Sequence, residues 1–233
     1  MVRRIASALF MAVLPLAAQA GDPLSYSFVE GQYLNSVFTP DTRTNIDDEY
    51  EGWHAAANVS LYKFIYFTGE ADKRRAQKYR FGTQSVGVGA HTDNRMSKYV
   101  QIFGDATYER TVVNDVTGSA ADDDDEGYGV QTGVRAPLGS FEFSAAYRYM
   151  NYGETSNLKV TAGKYGAGAV MHLSPYFALT ADATRMERSY KSTLPAGGSL
   201  KSRFDEWTVG FRAEFATDID RYRRRGGIFS SGE

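Results

Sequence analysis

The eleven residues Asp205–Phe215 constrain the chain more than any other stretch. Their alternation is strict. As a strand they place Trp207, Val209, Phe211, Ala213 and Phe215 on one face, and Glu206, Thr208, Gly210, Arg212 and Glu214 on the other. An apolar face opposite a charged face also suits a soluble sheet. What differs here is an aromatic at each end of the apolar face. Trp207 and Phe215 lie eight residues apart, about 26 Å along a strand and roughly 20 Å along the axis of a barrel whose strands tilt by ~40°. That spacing approaches the apolar band of a transmembrane β-barrel, with a ring of aromatics near each headgroup layer.

Thr208-Val-Gly210-Phe-Arg-Ala213-Glu-Phe215 resembles the last-strand signal of bacterial outer-membrane barrels: a polar residue, a glycine, then apolar positions ending in an aromatic. In that family the barrel-assembly machinery recognises the signal, so the resemblance implies that machinery as a partner. There the signal usually ends the chain. Here 18 residues follow, as in barrels that carry a periplasmic extension.

The N-terminus predicts export. Arg3 and Arg4 precede an apolar run from Ile5 to Ala18, and Ala18-Gln19-Ala20 supplies a cleavage site. An anchor helix is the alternative, but Pro15 interrupts a run already too short to span a bilayer. Residues 1–20 are therefore expected to be a cleaved signal peptide, 21–215 the barrel, and 216–233 a short disordered periplasmic tail. The formal net charge of −2 includes Arg3 and Arg4, so the mature chain carries about −4. No later stretch approaches the ~20 apolar residues of a membrane helix. The chain nevertheless holds 16 Tyr, 14 Phe and 23 Gly. Aromatics and glycine without hydrophobic runs suit alternating strands with aromatic girdles. Cysteine is absent, which excludes a disulfide framework or thiolate metal site.

Ten strands are expected: Leu24–Asn35, Gly52–Leu61, Phe64–Asp72, Gly82–His91, Lys98–Glu109, Tyr128–Ala136, Phe141–Tyr152, Lys159–Leu173, Tyr176–Arg188 and Asp205–Phe215. The first has mixed parity, with Tyr26 and Phe28 on one face and Val29, Gly31 and Tyr33 on the other, and a bulge near Phe28 would reconcile them. The second is cleaner: Trp53, Ala55, Ala57, Val59 and Leu61 face outward, and His54, Ala56, Asn58 and Ser60 inward. Connections after the second, sixth and eighth strands are short, and about six residues follow the fourth. The others are mostly longer and polar. Short periplasmic turns, long outer loops and an even strand count place both ends of the chain in the periplasm. Lipid leaves no partner for an open sheet edge, so the sheet must close. The fold class is all-β: a closed antiparallel up-and-down transmembrane barrel of ten strands, with eight the alternative, in the outer membrane of a Gram-negative cell.

Tyr26-Ser-Phe-Val-Glu-Gly-Gln-Tyr33 and the closing Val209–Phe215 together resemble small outer-membrane barrels of the OmpA/OmpX-like superfamily, above all a xanthomonad family of ten-stranded barrels. That resemblance implies fold and location, and no settled activity.

The chemistry-bearing residues are sparse. Of three histidines, His54 faces the interior near the outer end of its strand, with Asp47, Asp48 and Glu51 nearby but no serine motif. A catalytic histidine needs an orienting carboxylate and a nucleophile or activated water within reach, and a hydrogen-bonded interior residue is the plainer reading. His172-Leu-Ser174 resembles the His-x-Ser of lipid A deacylase barrels but falls at the periplasmic end, as does His91. No phosphate loop, metal spacing or nucleophile elbow is present. No catalytic, cofactor or metal residue is therefore assigned, and no nucleic-acid partner.

The inward face carries Glu30, Glu70, Asp72, Asp105, Glu109, Glu142 and Asp182 against Arg135, Arg148 and Arg212. Such charges either pair into a plug or line a narrow cation-preferring pore. The acidic stretches Asp41–Glu51 and Asp122–Glu126 read as solvated outer loops, with divalent bridging to lipopolysaccharide as the alternative. Arg221, Arg223, Arg224 and Arg225 give the tail a basic stretch able to touch anionic lipid or cell-wall material. The expected function is a non-enzymatic, monomeric outer-membrane barrel, structural or surface-interacting through its outer loops and embedded among outer-membrane lipid and lipopolysaccharide. A narrow pore and a hydrolase using His54 are the alternatives.

Overall fold

Alternation written for lipid on one side and polar side chains on the other closes into ten antiparallel strands. The computed structural model describes residues 27–40, 48–62, 64–76, 79–92, 100–115, 123–155, 158–194 and 198–215. The strands are β1 (Phe28–Pro40), β2 (Asp48–Tyr62), β3 (Ile65–Arg75), β4 (Tyr79–His91), β5 (Gln101–Asp115), β6 (Asp123–Leu138), β7 (Phe141–Thr155), β8 (Leu158–His172), β9 (Phe177–Ser192) and β10 (Ser199–Glu214). Each pairs with its neighbours in sequence, and β1 pairs with β10 to complete the barrel. The strand number is ten, not eight. Residues 1–20 and the tail 216–233 lie outside the described residues.

Several strands run further outward than their apolar faces predict. β2 begins at Asp48, β6 at Asp123 and β10 at Ser199, while β5 ends at Asp115. The alternation that marks a strand in lipid fades once the wall rises above it, but backbone pairing continues. The acidic run is thus corrected for residues 123–126, which are strand and not loop. Its charges are answered: Asp124 receives Arg110 from the neighbouring β5 (2.5 Å), and the inward Asp125 receives Arg188 of β9 across the barrel interior (2.5 Å). Residues 41–47 lie outside the described set.

The bulge expected near Phe28 is absent from the described residues. β1 keeps one register from Phe28 to Pro40 against β10. Phe28 is simply inward and Val29, Gly31 and Tyr33 outward, while Tyr26 lies outside the described residues. Register shifts occur instead at Ser60/Tyr62 and Asn151/Glu154. In the β6–β7 turn, Gly139 takes φ 61°, a conformation that favours glycine.

The outer surface carries an aromatic ring at the level of Tyr33, Trp53, Tyr108, Tyr128, Tyr165 and Trp207. Tyr33 faces Trp53, Tyr108 faces Tyr128 and Tyr147 faces Tyr165 across strand pairs, and Tyr33 and Trp207 stand 5.8 Å apart. Leu61, Leu138, Phe177, Phe211 and Phe215 occupy the other end of the wall, all exposed. Beyond the tyrosine and tryptophan ring the outward positions turn charged, at Lys73, Arg110, Arg185 and Asp205. A soluble protein would not leave so continuous an apolar surface in water. This wall is the lipid-facing band of an outer-membrane barrel.

Candidate functional site

The interior is built in three layers, and the register of the strands decides which residue enters which. Three residues beyond the outer aromatic ring, inward-facing positions become apolar. Tyr50 precedes Trp53 by three on β2, and Phe204 precedes Trp207 by three on β10. With Phe38 and Phe81 they form a ring cluster inside the barrel, at centroid separations of 4.7 Å (Phe38–Phe204), 5.4 Å (Tyr50–Phe81) and 5.5 Å (Phe81–Phe204). Tyr50 is 1% exposed and Phe204 2%. Opposite, Met150, Tyr152, Val160 and Ala162 form a second cluster, flanked by Met186 and Tyr190. The guanidinium of Arg74 lies 5.5 Å above Phe204 and that of Arg188 lies 4.9 Å above Tyr152, so each cluster carries a cation on a ring face.

Below this cap is a cavity of about 240 Å³, lined by Glu30, Gln32, His54, Glu70, Asp105, Arg148, Lys164, Asp182 and Glu206 among others. Arg148 sits at its centre. It donates to Glu70 (2.8 and 2.9 Å) and to Gln131 (2.7 Å), with Glu109 at 3.7 Å and Asp105 at 3.9 Å. Arg74 bridges Asp72 (3.0 Å) and Glu206, and Lys164 Nζ stands 3.5 Å from Glu206. Gln32 donates to Thr180 (3.0 Å) and Asp182 (2.6 Å). Gly89 leaves room for the Tyr66 ring, which any Cβ there would strike.

The third layer closes the periplasmic end. Arg135 grips Glu142 through two hydrogen bonds (2.7 and 2.8 Å), Arg212 donates to Glu30 (2.7 Å), and the Arg212 guanidinium lies 4.1 Å from the Phe28 ring centroid. Gln101 is 1% exposed and donates to the Thr92 carbonyl (3.0 Å).

The interior charges expected from sequence thus meet one another: Glu30 with Arg212, Glu70, Asp105 and Glu109 with Arg148, and Glu142 with Arg135. Asp72 is held by Arg74, and Asp182 by Gln32 and Thr208. Further members were missed, among them Asp125, read from sequence as loop but buried against Arg188. Arg74 and Arg188 lie beyond the expected interior positions of their strands, yet they keep the even parity of Asp72 and Thr184. Lys164 is hidden among glycines. Glu206 belongs to the charged face of β10 and joins the interior network through Arg74 and Lys164, both remote in sequence.

His54 lines the central cavity. It is one residue from Trp53 in the outer ring, with six strand residues beyond it, and faces Gln32 and Asp72 in register. Asp47 lies outside the described residues. Glu70 and Glu30, which share its cavity, are engaged by Arg148 and Arg212. His172 Nδ1 stands 3.4 Å from Glu214 at the periplasmic end. His91, also at that end, contacts Gln101 (3.3 Å) and stacks with Tyr66 at 6.1 Å. Among the described residues no group of three or more His, Asp or Glu is placed to hold a metal ion.

No protein-family model matches the chain, and no curated protein does. Solved structures give remote likenesses. Neisserial surface protein A is 14% identical over 82% of this chain and 98% of its own, with a TM-score of 0.41. The attachment invasion locus protein Ail of Yersinia pestis is 13% identical over 82% and 100%, at 0.35. The outer membrane protease OmpT of Escherichia coli is 8% identical over 81% and 94%, at 0.44. They differ too far from this chain for any role to pass between them. The chain's own geometry, a closed ten-stranded antiparallel barrel with a lipid-facing apolar wall, makes it an outer-membrane β-barrel protein.

Proposed function

We propose that this protein is a non-enzymatic, monomeric outer-membrane barrel with a plugged interior, acting structurally or through its outer surface. One observation carries the reading: the central cavity lies between an aromatic cap and a layer of paired charges. Tyr50 and Phe204 above, and Glu142 and Gln101 below, are each 2% exposed or less. A diffusion channel needs a continuous wet path, and side chains packed this closely at both ends oppose one. The direct test is single-channel recording of the refolded mature protein in a planar bilayer. Silence from demonstrably inserted protein is expected, and reproducible steps would overturn the plug.

The second reading, a narrow cation-preferring pore, is favoured by one feature. The cavity lining includes six carboxylates (Glu30, Glu70, Asp105, Glu142, Asp182 and Glu206) but four cations (Arg135, Arg148, Lys164 and Arg212). The same recording decides it, with reversal potentials reporting the cation preference. A hydrolase centred on His54 has less support, because Glu30, Glu70 and Asp72 around it are already committed to arginines. His54→Ala silencing a peptidase or esterase activity of the folded barrel would establish that reading. Kinship with the xanthomonad ten-stranded barrels, and recognition of Thr208–Phe215 by the barrel-assembly machinery, belong to the same proposal.

A further inference from the structure

Lys73 and Arg75 on β3 and Arg80 on β4 all face outward and are exposed. Arg75 and Arg80 are directly opposed across the strand pair, and Lys73 faces Gly82 one step nearer the membrane. Like charges directly opposite one another destabilise a sheet. The other outward cations at this level are answered by carboxylates: Arg110 by Asp124, and Arg185 and Arg203 by Asp205. Glu51 faces Arg75 from β2, yet among the described residues no carboxylate stands within ion-pair distance of Lys73, Arg75 or Arg80. Their level is set by register. Lys73 faces Trp53 of the outer aromatic ring, so the three cations stand where headgroups of the outer leaflet meet the wall.

Beneath them the wall is hollow. Gly31, Ala55 and Ala71 face one another across β1, β2 and β3, and Val29, Ala57 and Gly69 do so one step lower. The resulting groove is bordered by Val86 and Tyr108. Packing does not require these residues to be small. A Cβ on Gly31 would meet nothing within 4 Å, and on Gly69 or Gly82 only a carbonyl at 3.7 Å. A groove floored by small and apolar residues thus runs along the lipid-facing wall, with Gln84, Arg110 and Glu126 on its rim. Ala71 brings it to one outward position below Lys73, in a cluster whose three cations face a single carboxylate in register, Glu51.

We infer that this face binds a phosphorylated lipid of the outer leaflet, with the phosphate held by Lys73, Arg75 and Arg80 and an acyl chain lying in the groove over Ala55, Ala57, Gly69 and Ala71. The charge complementarity selects the occupant. A bound phosphate removes the Arg75–Arg80 repulsion, and the groove is apolar where the chain of such a lipid would lie. The inference rests on the reading of this wall as membrane-facing.

Trp53 sits beside the cluster and serves as the reporter. In a Trp207→Phe variant refolded into phosphatidylcholine bilayers with chelator present, its fluorescence is quenched by increasing fractions of brominated phosphatidylcholine or brominated phosphatidic acid. Quenching by phosphatidic acid is expected to show an apparent affinity at least about fivefold higher, the factor one cation supplies near an anionic surface. The preference is expected to disappear in Lys73→Gln/Arg75→Gln/Arg80→Gln, and the acyl contact to weaken in Ala71→Ile. The triple variant is expected to retain its heat-dependent gel mobility and to unfold at a similar urea concentration, since it loses the Arg75–Arg80 repulsion together with the exposed Glu51–Arg75 attraction. Equal quenching by the two lipids would overturn the site, as would a preference that survives the triple substitution. Protection of Trp53 from both lipids while Trp207 stays accessible in the converse variant would assign the groove to a second protein copy. Absence of quenching at both tryptophans would instead remove the membrane placement itself.

Discussion

Arg148 faces Glu70, Asp105 and Glu109 from the middle of the barrel, with its side chain 8% exposed. An uncompensated buried charge is costly, and removing one partner of such a group typically loses about 3–5 kcal/mol. Arg148→Met is therefore expected to lower the stability of the refolded barrel by that amount, read as a fall in the urea midpoint of unfolding from lipid vesicles. Adding Glu70→Gln to it should restore part of the loss, because one carboxylate fewer is then left unanswered. An unchanged midpoint for the single variant would mean that water already compensates these carboxylates. The inward placement of Arg148 and its neighbours was legible from alternation alone. Which carboxylate meets which guanidinium was not, since Glu70 and Arg148 are separated by 78 residues and meet only through closure of the barrel.

Strands carry the reading further than single residues, up to the height where lipid ends. Within the membrane, apolar and polar positions alternate because the two sides of the wall see different solvents. Above it both sides are partly polar, the contrast fades, and the outer parts of β2, β5, β6 and β10 escape a search for apolar faces. The acidic run on β6 shows what replaces that signal. Asp124 and Asp125 are adjacent and chemically identical, yet the first faces outward to an exposed Arg110 and the second inward to Arg188, where both side chains are 4% exposed. Asp125→Ala should leave Arg188 buried without its partner and cost about 3–5 kcal/mol. Asp124→Ala should leave the urea midpoint unmoved, as is usual for exposed ion pairs. Equal effects of the two substitutions would return this segment to a loop.

At the scale of the whole molecule, closure and plugging are separate properties with separate tests. Closure follows from the absence of water in the lipid core: β1 and β10 must pair, and the hydrogen-bonded ring that results resists detergent until it is heated. Unheated and boiled samples are expected to migrate differently on a denaturing gel, and identical mobility of inserted protein would contradict a closed barrel. Plugging depends on the outer cap. Where the wall rises above the membrane, the barrel inverts the usual arrangement of a membrane protein and packs Phe38, Tyr50, Phe81 and Phe204 inside, as a soluble barrel does. Truncation of Tyr50 and Phe204 to alanine removes the two most buried rings of that cluster and opens the cavity outward. The periplasmic layer, held by Arg135–Glu142 and Arg212–Glu30, stays in place. The double variant is therefore expected to remain electrically silent while admitting small cations to the cavity from outside. Adding Arg135→Ala and Glu142→Ala breaches the second layer, and conductance steps with cation preference should then appear, since the carboxylates lining the cavity outnumber its cations. Steps already present in the Tyr50→Ala/Phe204→Ala protein would assign the whole barrier to the aromatic cap and leave the paired charges as the wall of a latent pore.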